Sequence, residues 1–240
     1  MIIGGGCGAY MIIRWKVESD LAADDLVDVD FTIAESIEEE LPTQTEDNPT
    51  PQPSASSGIN FTQLKATNSS TLGWIKVNNT RINYPIVQSN DNEYYLKHSF
   101  NHSLNSSGAI FLDYRNPANL SGKHSIIYGH GRVEGTMFGT LQNALSSSWQ
   151  NNSANHIINI FTESETLQYK VFSAYRLPNT NDYLRTLFRN HSDFMEFVTM
   201  LKSRSVYNFG TEVSENDQIL TLSTCIGKNE RMVLHAKRIN

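Results

Sequence analysis

Two residues near the carboxyl end of the chain, Cys225 and Arg231, are of types that serve nucleophilic reactions. Cys225 ends the apolar stretch DQILTLSTC, and Arg231 begins a second one, RMVLHAK, after the connection IGKNE. A connection of this length is common in β-hairpins and would place the two residues opposite each other, with Cβ atoms about 4.5–5.5 Å apart. A guanidinium at that distance favours the thiolate and can donate hydrogen bonds to an oxyanion. The alternative is a buried cysteine beside a surface arginine that only closes the hairpin.

The base that such a nucleophile needs is predicted to be His130. It ends the apolar stretch SIIYGH and is followed by Gly131, so it should lie where a strand opens into a loop, as catalytic groups often do. Spacing alone cannot show whether His130 approaches Cys225. Four other histidines lie at the ends or on alternating faces of predicted elements, and we interpret them as solvent-facing or hydrogen-bonded structural residues. These are His124, His156, His191 and His235.

The remaining histidines, His98 and His102, have the HxxxH spacing of a possible metal-binding pair. No helical pattern surrounds them and no third ligand follows, which argues against a zinc site. The two cysteines, Cys7 and Cys225, lie far apart in different settings, so we expect no disulfide and interpret Cys7 as functionally silent. The sequence therefore predicts a protein without a metal and without an organic cofactor.

Charge is distributed unevenly along the 240 residues, whose formal net charge is −6. Residues 17–50 contain twelve Asp and Glu and no Lys or Arg, whereas the chain after residue 50 is mildly basic. A body of this composition is too weakly basic for a nucleic-acid-binding surface, but it is compatible with an anionic cell wall or membrane.

The first 58 residues are predicted to lie outside the folded domain. Residues 1–16 contain an apolar run of about thirteen residues that ends in RWK. As a helix this run would be about 20 Å long, short of the ~30 Å hydrocarbon core, so we interpret it as part of an N-terminal membrane anchor. A mobile apolar tail is the alternative. Residues 17–58 combine an acidic helical pattern with a Pro/Ser-rich linker, and the predicted domain covers residues 59–240.

Short apolar stretches dominate residues 59–240. The stretch GWIKVNNTRINYPIV predicts a β-hairpin that turns at Asn78 and Asn79. Further strands are predicted at GAIFLDY, HSIIYGH, HIINIFT, LQYKVFSAY and the two stretches at the carboxyl end. Helices are predicted within EGTMFGTLQNAL and SDFMEFVTMLKSRS, the second capped by Ser192 or Asp193. The pattern predicts a mostly-β barrel or sandwich with two inserted helices.

Three separated motifs resemble those of the sortases, the cysteine transpeptidases of Gram-positive cell surfaces. The motifs are, in order, SIIYGHGRVEGTMFGTL, ILTLSTC and RMVLHAK. Three further features are similar to class B sortases: GWIKVNNTRINYPIVQSNDNEYYL, the Ser within TLSTC, and the helix DFMEFVTMLKSRSVY before the cysteine strand. The resemblance covers nearly all of residues 59–240 and implies an eight-stranded sortase-type β-barrel with inserted helices.

The resemblance also implies a role for each candidate residue. It makes Cys225 the nucleophile, His130 the general acid/base and Arg231 the group that stabilises the oxyanion or the substrate, while Ser223 and Thr224 contact the substrate. The implied reaction cleaves an NPxTx-like sorting signal of a surface protein after its Thr and forms a thioester. The acyl group then passes to an amine of a peptidoglycan precursor or a pilin. The implied location is the extracellular face of the cell membrane, with a single N-terminal anchor and no nucleic-acid partner.

Three features differ from the class B pattern: the short N-terminal apolar run, the brief connection from Cys225 to Arg231, and Gly131 after the histidine. None removes a predicted catalytic residue. Two other functions stay open, a cell-wall cysteine peptidase or amidase and a non-catalytic surface β-domain. Papain-like enzymes place Cys before His, whereas here His130 precedes Cys225. A ligand-binding domain would not need this set of three residues.

Overall fold

The computed structural model describes residues 58–178, 180–226 and 230–240. The strands are β1 (Thr71–Val77), β2 (Asn83–Val87), β3 (Ile110–Leu112), β4 (His124–Tyr128), β5 (Ile157–Phe161), β6 (Thr166–Pro178), β7 (Ile219–Ile226) and β8 (Glu230–Arg238). The α-helices are α1 (Phe61–Thr67), α2 (Ser147–Gln150) and α3 (His191–Ser203). Short 3₁₀ helices occur at Tyr94–Leu96, Gly139–Leu145 and Ser153–His156.

The strands close into one barrel in the order β1-β2-β3-β4-β7-β8-β6-β5. The pairs β2–β3 and β4–β7 are parallel, and the other neighbouring strands are antiparallel. Closure gives every strand a hydrogen-bonded neighbour on both sides, which removes the exposed edges of an open sheet. The predicted barrel is therefore confirmed, and the sandwich that the strand pattern also allowed is excluded.

The predicted hairpin is formed by β1 and β2, which pair Ile75 with Tyr84 and Lys76 with Asn83. Asn79 occupies the turn with a φ of 52°. This left-handed conformation is uncommon for residues other than glycine but is enriched in asparagine. The predicted turn at this position is thus confirmed, and each of the other predicted strand stretches also contains an observed strand.

Three apolar clusters hold the described part of the domain together. The largest fills the barrel, and all eight strands contribute to it. A second cluster packs the apolar face of α3, including Phe194 and Leu201, against Val233 of β8 on the outside of the barrel. The third places Phe61 and Leu64 of α1 against residues of β1, β2 and β3. The barrel strands that carry the candidate site are therefore packed on both faces.

The helix predicted within EGTMFGTLQNAL is a 3₁₀ helix, Gly139–Leu145, rather than an α-helix. The buried side chains of its N-cap Phe138 and of Leu141 and Ala144 recur at every third position, which matches the three residues per turn of a 3₁₀ helix. An α-helix in this stretch would place Leu145 on the same face as Phe138 and Leu141, but Leu145 is only half-buried. Leu141 and Leu145 are four positions apart, which fits an α-helix. The sequence pattern therefore did not distinguish an α-helix from a 3₁₀ helix here.

The second predicted helix is present as α3, but its predicted cap is wrong. Asn190 is the N-cap, and its side-chain oxygen accepts a hydrogen bond from the Asp193 N–H at 2.9 Å. Ser192 and Asp193 both lie within the first turn. The prediction placed the helix start too late because Asn190, Ser192 and Asp193 are all residue types that favour caps.

The connection between the two carboxyl-terminal strands is shorter than predicted. Ile226 pairs with Glu230, so both residues belong to strands. Residues 227–229 lie outside the described part of the chain.

The predicted membrane anchor at residues 1–16 and nearly all of the acidic segment at residues 17–58 also lie outside the described residues. Among the residues that the structure does describe, no helix is long and apolar enough to span a bilayer. The predicted domain boundaries therefore stay predictions.

Candidate active site

The carboxyl ends of β4 and β7 lie side by side because these strands are parallel. Their register pairs Tyr128 with Ser223, and the Gly129 N–H donates to the Ser223 carbonyl at 3.2 Å. His130 follows Gly129, and Cys225 lies two residues beyond Ser223. The parallel pairing therefore brings the predicted base and the predicted nucleophile to the same end of the barrel.

β8 returns antiparallel to β7 and pairs Arg231 with Cys225. The cross-strand pairing that the hairpin spacing predicted is thus confirmed. On its other side Arg231 pairs with Leu177 of β6, so the arginine backbone is fixed between two long strands. Directly opposed residues on antiparallel strands have Cβ atoms about 4.5–5.5 Å apart, within the reach of a guanidinium.

A cavity of about 260 Å³ opens at this end of the barrel. Four predicted site residues line it: His130, Ser223, Thr224 and Arg231. Ser223 and Thr224 are buried, whereas His130 and Arg231 are half-buried. All predicted site residues whose side chains the structure describes therefore line one cavity. Their predicted roles remain predictions.

The ring of His130 is held on two sides. Its Nε2 lies 2.9 Å from the Leu96 carbonyl oxygen, which can only accept, so Nε2 carries the proton and Nδ1 is the other available nitrogen. Gly108, with a φ of +63°, packs against the ring so closely that a Cβ there would lie 3.2 Å from the His130 Cδ2 atom. The same Cβ would lie 2.3 Å from the Tyr95 carbonyl oxygen. A side chain at position 108 would therefore displace the loop that orients the histidine.

Ser223 forms a buried hydrogen bond with Tyr183, whose hydroxyl oxygen lies 2.9 Å from Ser223 Oγ. Tyr183 belongs to the connection between β6 and α3, and it also lines the cavity. Ser223, which we predicted to contact the substrate, is therefore also hydrogen-bonded to the connection between β6 and α3.

Asn92 and Tyr128 line another part of the cavity, and both donate hydrogen bonds to the buried carboxylate of Asp113. Burial alone would raise the pKa of Asp113, but hydrogen bonds from Arg115 and Tyr128 outweigh it and hold the pKa below its ordinary value. Burial, reinforced by the Asp113 charge, raises the pKa of Tyr128, so its hydroxyl stays protonated and donates. This part of the cavity is therefore supported by an ionised carboxylate.

Among the cavity residues that sequence reasoning missed are Asn92, Leu96, Tyr128 and Tyr183. Tyr128 had a usable signal, because it precedes His130 by two positions and strand alternation places such residues on one side. The other three come from connections between strands, where no periodic pattern indicates which side chain faces the cavity.

His98 and His102, the HxxxH pair, both contact Tyr94. His98 Nδ1 donates to the Tyr94 carbonyl at 2.8 Å, and the Tyr94 hydroxyl lies 3.0 Å from His102 Nδ1. The rings of Tyr94 and His98 stack with centroids 4.1 Å apart. Within the described ranges, no group of three or more His, Cys, Asp or Glu residues could hold a metal ion. These two histidines therefore belong to a local aromatic cluster around Tyr94.

Comparison with known proteins identifies the class of enzyme that combines this barrel with this site. A model of the sortase domain matches residues 75–239. The chain therefore belongs to the sortase family, and it is an enzyme of the cysteine transpeptidase type.

Within that family the similar proteins are class B sortases. Sortase B of Staphylococcus aureus is 36% identical over 165 residues, which are 69% of this chain and 67% of the relative. Sortase B of Listeria monocytogenes is 33% identical over 180 residues, or 73% of this chain and 72% of the relative.

Solved structures of class B sortases also match the barrel. A sortase B–substrate complex from S. aureus has a TM-score of 0.70 and 35% identity, covering 75% of this chain and 84% of that one. Sortase B of Clostridium perfringens has a TM-score of 0.71 and 32% identity, covering 75% of this chain and 100% of that one. The predicted resemblance to class B sortases is confirmed.

Proposed function

We propose that this enzyme cleaves a cell-wall sorting signal after its Thr and joins the new carboxyl group to an amine at the cell surface. The observation that carries the proposal is the meeting of three strand ends at one cavity. β4 leads to His130, β7 carries Cys225 close to its end, and β8 presents Arg231 opposite Cys225. A nucleophile, a proton carrier and a cation are the groups that thiol acyl transfer requires.

The first half of the reaction is acylation. The Cys225 sulfur attacks the Thr carbonyl carbon, and the oxygen gains negative charge that the Arg231 guanidinium stabilises. The S–C bond then remains while the peptide C–N bond breaks, and the leaving amine takes a proton from the His130 imidazolium. Because His130 Nε2–H is donated to the Leu96 carbonyl, Nδ1 is the nitrogen that we assign to proton transfer.

The second half is transfer. An incoming amine attacks the thioester carbonyl, a new C–N bond forms, and the C–S bond breaks to return the Cys225 thiolate. His130 Nδ1 accepts the proton that the amine loses, which restores the imidazolium. Hydrolysis follows the same steps with water as nucleophile, so the choice between transfer and hydrolysis depends on how well the cavity admits the amine.

The proposed substrate is an NPxTx-like signal of a surface protein, and the proposed acceptor is an amine of a peptidoglycan precursor or a pilin. Similarity to class B sortases, one of which has been solved as a substrate complex, supports the peptide substrate. We further propose that the enzyme acts on the extracellular face of the cell membrane. The apolar run at residues 1–16 would be its anchor and residues 17–58 its spacer, which the sequence pattern supports.

The test is a library of peptides varied around NPxTx, incubated with the enzyme and analysed by mass spectrometry for an acyl group on Cys225. Peptides that contain the sorting signal should form this adduct, and Cys225→Ala should abolish both the adduct and turnover. Cys7→Ala is the matched control and should behave as the unsubstituted enzyme. Normal turnover by Cys225→Ala would contradict the proposal.

The same assay with added amines separates transfer from cleavage. Wall-type or pilin-type amines should release the acyl group as a new amide faster than water releases it as a free acid. Release by water alone, whatever amine is supplied, would favour the cysteine peptidase alternative.

A further inference from the structure

Asp113, the residue after β3, is a fully buried carboxylate that accepts five hydrogen bonds. Three come from Arg115, through its main-chain N–H at 2.9 Å, Nε at 2.8 Å and Nη2 at 2.7 Å. The other two come from the Tyr128 hydroxyl at 2.9 Å and Asn92 Nδ2 at 3.0 Å. Asn92 and Tyr128 line the cavity, whereas Asp113 lies behind them. The carboxylate therefore joins two cavity residues from behind.

Asn92 is fixed at both ends of its amide. Its Nδ2 donates to Asp113, and its Oδ1 accepts a hydrogen bond from the Tyr114 N–H at 3.0 Å. The neighbouring Asp91 accepts the two main-chain N–H groups at the start of the 3₁₀ helix Tyr94–Leu96, each at 2.8 Å. The short helix is thus joined through two adjacent side chains to the segment that Asp113 holds.

The end of this short helix reaches the predicted general acid/base. Its last residue, Leu96, supplies the carbonyl that accepts the His130 Nε2–H at 2.9 Å. Tyr128, the other cavity residue held by Asp113, ends β4 two positions before His130. Two structural paths therefore lead from one carboxylate to one imidazole ring, one through Asn92 and the short helix and one through Tyr128 and the end of β4.

We propose that Asp113 is a positioning residue for the acyl transfer proposed above, on which this inference rests. Its carboxylate fixes Asn92 and Tyr128, and through them the orientation of the His130 ring. Asp113 touches neither the substrate nor the reacting atoms. Its loss should therefore slow the steps in which His130 moves a proton, while peptide binding changes less.

A carboxylate suits this task because four donor groups besides the Arg115 main-chain N–H converge on its two oxygens. An ionised carboxylate offers about four lone-pair sites and accepts only. Replacement by Asn keeps the shape but turns one acceptor oxygen into an N–H₂ group that faces donors. The substitution also removes the countercharge of Arg115. The pKa of Asp113, held below its ordinary value by hydrogen bonds that outweigh burial, is consistent with a carboxylate that stays charged.

The experiment compares Asp113→Asn with Asp193→Asn. Asp193 in α3 is a matched control, since its side chain is 7% exposed and receives hydrogen bonds from the Arg185 and Arg189 guanidinium groups. Single-turnover acylation is measured against peptide concentration in the full chain. For Asp113→Asn we expect the maximal rate to fall about 10-fold and the half-saturating peptide concentration to change less than about 3-fold. Asp193→Asn should lower the thermal midpoint but keep the maximal rate.

A second variant keeps the test decisive if Asp113→Asn does not fold. Asn92→Leu releases the short helix from Asp113 at a half-exposed position, and it should reproduce the loss of maximal rate. Where all variants fold, the double substitution should cost less than the product of the two single effects, because both substitutions disturb the same Asp113–Asn92 hydrogen bond. A wild-type maximal rate in Asp113→Asn, or independent effects in the double variant, would overturn the proposal.

A spectroscopic signal separates this proposal from the proposed function. The His130 Nε2–H, held by the Leu96 carbonyl, should give a slowly exchanging imidazole proton in NMR spectra. That signal should shift or broaden in Asp113→Asn and persist in Asp193→Asn. If the unsubstituted enzyme forms no acyl adduct with any peptide, the proposed function fails, while this signal still decides whether Asp113 positions His130. An unchanged signal in Asp113→Asn would refute the positioning role.

Discussion

Two polar networks, each containing fully buried groups, flank the strands that carry the candidate site, and they differ in charge. We name them the Asp113 network (Asp113, Arg115, Tyr128 and Asn92) and the histidine chain (His124, Thr221, His235 and Tyr175). The Asp113 network is ionic and reaches the cavity. The histidine chain is sealed, since its members are at most 2% exposed. The contrast indicates that one network serves the site and the other serves the barrel.

The proton order along the histidine chain follows from its ends. The Arg185 carbonyl can only accept, so His124 Nδ1–H donates to it at 2.5 Å. A neutral His124 then accepts at Nε2 from the Thr221 hydroxyl at 2.6 Å, and Thr221 accepts from His235 Nδ1–H at 2.7 Å. The Tyr175 hydroxyl completes the chain by donating to His235 Nε2 at 3.1 Å. Every donor finds an acceptor only while both histidines are neutral.

The chain crosses four neighbouring strands, because His124, Thr221, His235 and Tyr175 belong to β4, β7, β8 and β6. Three of these strands carry or lead to the predicted catalytic residues. Burying a neutral chain avoids the desolvation cost of charge, but it makes the barrel sensitive to protonation. The Asp113 network has the opposite property, since acid affects it only when a carboxylate of lowered pKa takes up a proton.

Of the two networks, the histidine chain should be disrupted at the higher pH as acid is added. The resulting loss of unfolding free energy is the largest effect we expect. Burial lowers the pKa of His124 to about 4 and the pKa of His235 well below its ordinary value. Because unfolded histidines titrate near pH 6.5, the unfolded chain binds more protons than the folded one below that pH. The contribution of His124 should be complete above about pH 6.5 and fall by about 3 kcal/mol as the pH drops to about 4. Urea unfolding at a series of pH values measures this change in unfolding free energy.

The control for acid sensitivity compares two histidines. His124→Gln removes a buried titrating group, so the slope of unfolding free energy against pH between 6.5 and 4 should decrease. His191→Gln removes a histidine whose side chain is 63% exposed, and it should leave the slope nearly unchanged. Equal slopes in both variants would show that the histidine chain does not set the acid sensitivity.

Thr221→Val should break the same chain at neutral pH with a smaller effect. The substitution keeps the shape of the side chain but leaves His124 Nε2 and His235 Nδ1–H without their partner. Buried polar groups left in this state cost about 1–3 kcal/mol each, so the lower bound for the two groups gives an expected loss of about 2 kcal/mol in unfolding free energy. The acylation rate of the folded enzyme should stay within about 2-fold, in contrast to Asp113→Asn.

Thr199→Val supplies the matched control for that measurement. Thr199 lies on the exposed face of α3, and its hydroxyl donates to the Met195 carbonyl one turn earlier, at 2.8 Å. Its replacement should change the unfolding free energy by less than about 0.5 kcal/mol. A loss at Thr221 no larger than the loss at Thr199 would contradict the continuous chain.

The sequence was sufficient for the parts of the site that depend on local geometry. Cys225 and Arg231 are opposed because a short connection joins two apolar strands, and that register can be inferred from spacing. The position of His130 at a strand end could likewise be inferred from an apolar stretch followed by glycine. The approach of β4 to β7 could not, because a parallel pair joins strands that are distant in sequence and local patterns do not indicate which strands pair.

The same limit explains why the two networks were not predicted. His124 and His235 were each interpreted as either solvent-facing or hydrogen-bonded, and the structure shows that both are buried and hydrogen-bonded. Their connection through Thr221 depends on three strands in register. Asp113 carries no pattern in sequence that distinguishes it from a loop aspartate. Its importance appears only when Asn92, 21 residues earlier, and Tyr128, 15 residues later, converge on it.

A pair of Tyr→Phe substitutions compares the two networks with the smallest chemical change. Tyr175→Phe removes the last donor of the histidine chain, so His235 Nε2 loses its partner and the unfolding free energy should fall by about 1 kcal/mol without a change in acylation rate. Tyr128→Phe leaves Asp113 with four hydrogen bonds, so the stability loss should be smaller, but the maximal acylation rate should drop several-fold. Unfolding and single-turnover acylation of both variants check the comparison. If Tyr175→Phe impaired acylation as much as Tyr128→Phe, the division between a network for the site and a network for the barrel would be wrong.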